Sequence, residues 1–544
     1  MSKMDSDSAH EYPDPTQNVS TPEQLDNNFD AIVVGAGAAG GLAALLLCEG
    51  GARVLVLDAG LPPSLRRAPL QTTLQFLIKN WADLRFLKFV PPHLLYKGRQ
   101  GLKLAGRLRQ PIQSQCYAWE RLPEVFVDDI DSPYTTPKDK PFTWIRAWTI
   151  GGRLIVPGHG RQYYRLSRED LNSSAGLSPP WPIDSNELDP WYAAVEKRIG
   201  LSGEMNGLSS PPDSELGTIL QRLPSEKTVV SAIKARWPQA DAILGRYAPP
   251  FPSIDLAAAA GRLTRRSGAV CQKVELAKTG RVSGVVWYDR QTGREMRAQS
   301  NCVFLCASTL ETTRIMLTSA AANGQKFGVS SGVLGHYLMD HVVSKIESVG
   351  PASVDDPVSV EEGRCVYLPR FDNRDRNRSS SEGGFGVQLY ETAATPGKSY
   401  FTAVAFSEMA PRVENKVSLS STKTDAWGMP CLHIDCAHGE RENEAMHRQL
   451  QALREVAAVL KLDPSRTLES LGPPGLAIHE CGTVRMGDDP RRSVLDPNNQ
   501  CWDTKGLYVT DGACFPSQGS QHPTLTIMAL TARACQHALQ HEIG

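Results

Sequence analysis

Residues 29–58, FDAIVVGAGAAGGLAALLLCEGGARVLVLD, decide the fold. Phe29 to Val34 reads as a buried strand, GAGAAG from Gly35 to Gly40 as a turn, Gly41 to Glu49 as a strong helix, and Arg53 to Leu57 as a second strand closed by Asp58. This strand–turn–helix–strand order is the βαβ unit that cradles a dinucleotide. Each glycine has a separate task there. Gly35 permits the tight turn, Gly37 lets the backbone approach a pyrophosphate, and Gly40 lets helix and strand pack closely. The helix that follows points its first amides, with their partial positive charge, at the phosphates. Asp58 stands roughly 20 residues on, where an acid grips a ribose hydroxyl. Gly35, Gly37, Ala38, Ala39, Gly40 and Asp58 are therefore the candidate cofactor contacts at this end. The unit alone does not choose between NAD and FAD.

Working outward, 544 residues are too many for one hydrophobic core, so two domains are expected. A hydrophobic fraction of 41% and a formal charge of −1 fit a globular protein and exclude the basic excess of a nucleic-acid binder. No apolar run reaches the roughly 18 residues of a membrane-spanning helix. The polar, acidic residues 1–28 carry no apolar signal core or twin arginine and read as a leader without regular structure, which points to a cytoplasmic protein. The 12 cysteines are scattered without metal-type spacing, so free thiols and no metal site are expected.

Leu61 to Gln110 holds ten Lys or Arg against one acid, Asp83, with apolar residues interleaved. It reads as helices packed on the protein with basic outer faces, or as a surface for a membrane or partner. Ser132 to Arg165, rich in Pro, Gly and aromatics, reads as an ordered loop lining something. Val274 to Leu305 alternates apolar and polar residues with turns near Gly280 and Gly293, predicting a hairpin or three-stranded meander that feeds a buried strand at Cys302 to Cys306. Helices are predicted at Leu310 to Ala321, Glu440 to Leu462 and Thr524 to His541, and Asn373 to Gly386 as a surface loop.

Two histidines near the C-terminus carry the chemistry. His479 opens HECGTVRMG; His522 opens HPTLTIMAL; between them a strand ends at Asp511-Gly512. Oxidation of an alcohol removes a proton from oxygen and a hydride from carbon. Imidazole is the natural proton acceptor near neutral pH. A second imidazole can hold the hydroxyl and aim the C–H bond. Asp340-His341, in GHYLMDH, reads first as a structural hydrogen-bonding pair near the domain junction, with a catalytic part as the alternative.

GAGAAG with Asp58, Gly151-Gly152, CASTLETTRIML at 306–317, HECGTVRMG, VTDG at 509–512 and HPTLTIMAL occur in the order found in the glucose–methanol–choline (GMC) oxidoreductases, which the chain resembles from about Phe29 to His537. Residues 132–146 and 181–203 are similar to the bacterial branch of pyranose oxidases and glucoside 3-dehydrogenases. The resemblance implies an α/β fold, with a Rossmann-type FAD domain from 29–165, 240–345 and 470–544. A substrate domain on an antiparallel sheet would come from 166–239 and 346–469. It implies FAD, His479 as general base, His522 as the second active-site residue, and hydride transfer from a CH–OH group to flavin N5. Asp511, Gly512, Pro523 and Thr524 match positions that touch the flavin or its ribityl–phosphate chain. Val270 matches the position whose backbone meets the adenine. After Gly151-Gly152 the chain reads RLIVPGHGRQYYR, without the tryptophan usual there. His159 is displaced from the position that links FAD covalently in some relatives, so non-covalent FAD is expected. A secondary alcohol of a sugar or glycoside is the expected substrate, with O₂, a quinone or a carrier protein as acceptor. The alternatives are a hydrophobic or natural-product alcohol, a redox-neutral lyase, or a flavin subunit that docks through residues 61–110.

Overall fold

The computed structural model describes residues 29–66, 109–158, 161–172, 178–324, 327–352, 363–374, 384–395 and 397–543. The leader, nearly all of the basic stretch 61–110, and His159 lie outside the described residues. Arg66 and Arg109, from the ends of that stretch, both have intramolecular partners. Arg66 donates to Leu61 O and Thr149 Oγ1, and Arg109 pairs with Asp128 and Asp131.

A five-stranded, wholly parallel sheet forms the first layer. Its order is Leu507–Val509, Val303–Leu305, Ala31–Val34, Val54–Asp58, Leu263–Ser267. Its first four strands in that order are buried throughout, as expected for a parallel sheet covered on both faces. The helix Ala38–Glu49 is almost wholly Ala, Leu and Gly, so it packs on nearly every side, against the C-terminal helix Thr524–His541 and the short helix Ser253–Ala259. The meander is present as Ala269–Leu276, Val282–Asp289 and Arg294–Gln299, feeding Val303–Leu305. All 12 cysteines are free and buried.

The second sheet has six strands in the order Leu468–Leu471, Val342–Pro351, Lys398–Ser407, Phe385–Thr395, Val366–Leu368, Ile243–Leu244, every pair antiparallel. After the exposed Lys398, the strand Lys398–Ser407 alternates strictly between buried and half-buried residues. Ala403 and Ala405 join Val387, Leu389, Val366 and Leu368 against Leu450, Leu453 and Val456 of the amphipathic helix Glu440–Val459. The period of two then sends Phe406, Gln388, Tyr390 and Tyr367 to the opposite face. Register keeps them together, because Gly386 pairs with Phe406, and Tyr367 with Gln388.

Two details differ from the expected domain boundaries. Ile243–Leu244 pairs with Val366–Leu368, so the antiparallel sheet takes a strand from beyond position 240; the parallel sheet resumes only at Leu263. The helix Ser185–Ile199, expected in the substrate domain, packs against Thr524–His541 of the parallel-sheet layer. Tyr192 Oη lies 2.8 Å from Thr526 Oγ1 there. A two-residue strand and a helix with an outward polar face carry no sequence signal for the sheet or partner they choose.

Candidate active site

A cavity runs from the glycine turn to His479. Gly35, Gly37, Ala38, Ala39, Asp58, Gly152, Val270, Asp511, Gly512, Pro523 and Thr524 all line it. Gly40 and Gly151 stand behind the wall.

The glycines divide by what crowds them. A Cβ on Gly40 would overlap Gly35 O, and one on Gly35, whose φ is +97°, would overlap Cys306 O. Both are required by the fold. On Gly37 the nearest atom to a Cβ would be Gly152 Cα at 3.8 Å, an ordinary contact. The protein leaves room at Gly37 that a ligand would need. Gly37 caps the helix without a side-chain bond, and no acid lies in the first turn. The first amides are thus left to an anion. Asp58 accepts Ala36 N–H at 3.0 Å and Gly60 N–H at 2.8 Å, which leaves lone pairs for a ribose hydroxyl. These residues fit a dinucleotide. Gly37→Ala should therefore fold with a melting temperature within about 2 °C of wild type yet bind FAD at least about tenfold more weakly, read by flavin fluorescence titration. Gly35→Ala should not yield folded protein.

His479 lines the far end of the cavity. It is held at three points. Asp340 Oδ1 accepts its backbone N–H at 2.9 Å, Gln518 Nε2 donates to its carbonyl at 2.5 Å, and His341 Nδ1 lies 2.9 Å from its Nδ1. The other oxygen of Asp340 accepts Gly475 N–H at 2.7 Å and Ala477 N–H at 3.2 Å. Burial, with Glu480 adjacent, pushes the Asp340 carboxyl up to about 7. Between these anchors Ile478 is forced to φ +62°, a strained conformation for a β-branched residue. Its carbonyl accepts from Arg153, which also pairs with Glu480 at 2.7 Å. Arg153 follows Gly151 and Gly152, whose φ values of +85° and +56° turn it into place.

His522 does not line that cavity. It stands beside His479, with ring centroids 4.6 Å apart, and Phe406 packs on both rings. Gln388 Nε2 donates to His522 Nε2 at 3.1 Å, and Tyr390 Oη donates to Gln388 Oε1 at 2.9 Å. The Nε2 lone pair of His522 is thereby engaged. Tyr164 meets the His522 ring edge-on and stacks on Tyr367. Burial lowers His522 to about 3 and His341 to about 4. Below an unfolded-state value of 6.5, only the unfolded chain protonates at such a position, so its contribution to stability is full above pH 6.5 and is lost as pH falls. The stability difference between wild type and His522→Asn should therefore shift against wild type by up to about 1.4 kcal/mol per pH unit between pH 6.5 and 4, measured by denaturant unfolding.

The two expected histidines, the glycine turn and the Asp511–Thr524 contacts thus converge. Sequence reasoning missed Gln388, Tyr390, Phe406, Arg153 and Gln518; the hydrogen bonding expected of Asp340-His341 is present and falls on the His479 loop. The Asp-His pair was a visible signal; Gln388 and Tyr390 were readable only as alternate positions on one strand.

A family model described as GMC oxidoreductase matches residues 411–531, which include the HECGTVRMG run and His522. Residues 411–531 are a GMC oxidoreductase C-terminal domain. The chain is 26% identical over 464 residues to 2-methyl-1,2-propanediol dehydrogenase of Mycolicibacterium austroafricanum, covering 73% of this chain and 82% of that one. It is 26% identical over 328 residues to C-glycoside 3-oxidase of Arthrobacter globiformis, covering 55% of this chain and 56% of that one. A formate oxidase variant from Aspergillus oryzae, studied for FAD modification, superposes with a TM-score of 0.63 at 14% identity, covering 95% of this chain and 99% of that one. The two-sheet fold is that of the family, the chain is an oxidoreductase acting on CH–OH donors, and GMC oxidoreductases bind FAD. Among the described residues no helix is long and apolar enough to cross a membrane.

Proposed function

We propose that this enzyme oxidises a secondary alcohol of a sugar or glycoside, with His479 as the base. The observation that carries the reading is the pair of imidazoles 4.6 Å apart where the dinucleotide cavity meets the antiparallel sheet. When bound, FAD supplies the hydride acceptor and is reoxidised by an external acceptor, for which O₂, a quinone or a carrier protein are the candidates. His479 takes the hydroxyl proton. His522, its Nε2 engaged by Gln388, holds the hydroxyl and does not compete as base. Phe406 keeps water off both rings. Gln388, Tyr390, Tyr164 and Tyr367 give the sheet face a row of hydrogen-bonding groups beside His522, which suits a polyhydroxylated substrate better than an apolar one. The similarity to a C-glycoside 3-oxidase supports the same class. FAD is non-covalent in this reading, since the cavity offers backbone amides and Asp58 as its anchors. Anaerobic mixing of the FAD-loaded enzyme with hexoses, methyl glycosides, polyols and long-chain alcohols tests the proposal. Bleaching of the flavin by a hexose or glycoside, with a ketone as product, is the expected result. Bleaching by long-chain alcohols alone would overturn the substrate class, and no bleaching by any alcohol would overturn the reading.

A further inference from the structure

His341 occupies a position that its neighbours determine completely. Its Nε2 lies 3.0 Å from the carbonyl oxygen of Gly519, and its Nδ1 lies 2.9 Å from Nδ1 of His479. The two imidazole planes are almost perpendicular, at 89°. A carbonyl oxygen can only accept, so the proton of His341 sits on Nε2. The ring is 1% exposed, with no acid bonded to it, so it is neutral and its Nδ1 carries a lone pair. Two nitrogens at 2.9 Å share one proton, and the one lone pair is already assigned. The donor must be Nδ1–H of His479. A neutral His479 with its proton on Nδ1 has its lone pair on Nε2.

We infer that His341 is a positioning residue that fixes the tautomer of His479, through the chain Gly519 C=O, His341, His479, so that Nε2 of His479 is the basic atom. The inference rests on the reading of His479 as the base and adds which of its nitrogens acts and what selects it. Asp340 and His341 then divide one task between adjacent residues. Asp340 grips the His479 backbone, and His341 sets the protonation of its ring. When His479 takes a proton on Nε2 it becomes an imidazolium that still donates Nδ1–H to His341. His341 cannot carry that charge away, because its own Nε2–H is committed to Gly519 and its ring resists protonation. The proton stays on the base until it leaves by Nε2.

The test combines spectra with kinetics on the full-length holoenzyme. ¹⁵N-histidine labelling of wild type, with the His479 signals among the 12 histidines identified by subtracting the His479→Gln spectrum, should show a protonated Nδ1 and an unprotonated Nε2 on His479. His341→Ala should give a mixture of both tautomers and slow flavin reduction at least about tenfold, with substrate affinity nearly unchanged. His341→Asn places a carbonyl oxygen where Nδ1 stood and should recover most of the lost rate and the original tautomer. A wild-type His479 protonated on Nε2 would overturn the inference, whether or not the alanine variant folds. So would a folded His341→Ala that reduces flavin within about twofold of wild type. Failure of the underlying reading looks different: His479→Ala would itself retain the wild-type rate.

Discussion

Replacing His479 with alanine should slow flavin reduction at saturating substrate by about 10³-fold while leaving the flavin bound. Positioned general bases contribute about 10²–10⁴-fold. His479 is the imidazole that lines the cavity, and the loop around it is anchored at three points. His522 cannot replace it, because Gln388 engages its Nε2 and burial lowers its basicity to about 3. The dinucleotide contacts lie on other elements, so the variant should remain yellow. Stopped-flow absorbance under nitrogen reads both quantities. A loss below about tenfold would mean that the proton leaves by another route.

Asp340→Asn should cost about 2–4 kcal/mol of stability and lower the reduction rate by about 10–100-fold. The carboxylate accepts three buried backbone N–H groups, two on Oδ2 and one on Oδ1. An amide of the same shape has one oxygen. It must turn an N–H toward either the His479 amide or the pair from Gly475 and Ala477. Each buried donor left unpaired costs about 1–3 kcal/mol. The orientation that sacrifices fewer bonds releases the His479 backbone, the segment already strained at Ile478. Denaturant midpoints and reduction rates measured together decide it; a variant as stable and as fast as wild type would show that Asp340 only fills space.

The sequence revealed most where one residue type serves a purpose nothing else can. Gly35 and Gly40 are glycines because backbone oxygens stand where their side chains would go, and that crowding is written into the spacing of GAGAAG. The C-terminal helix is legible to its bounds, Thr524–His541, because Pro523 and an apolar stripe mark it. The antiparallel sheet was expected, but its edges were not. Ile243–Leu244 is two residues long, and its partner, Val366–Leu368, is more than a hundred residues away. The site divides in the same way. His479 and His522 sit in glycine-flanked runs that stand out. Gln388 and Tyr390 sit in FGVQLYETAAT, where they look like ordinary polar positions of a half-buried strand. Only the strand's alternation and the hydrogen bonds from Tyr390 to Gln388 and from Gln388 to His522 bring them beside the imidazoles. His341 was visible in its Asp-His pair, but the tautomer logic needs the Gly519 carbonyl, which no spacing predicts.

The most direct test of the account places deuterium on the carbinol carbon of whichever hexose or glycoside bleaches the flavin, and follows the anaerobic bleaching with wild type and His479→Ala. We expect bleaching at a rate lowered several-fold by the deuterium in wild type, and a further loss of about 10³-fold in the variant. Equal rates for the wild-type and His479→Ala enzymes would contradict it.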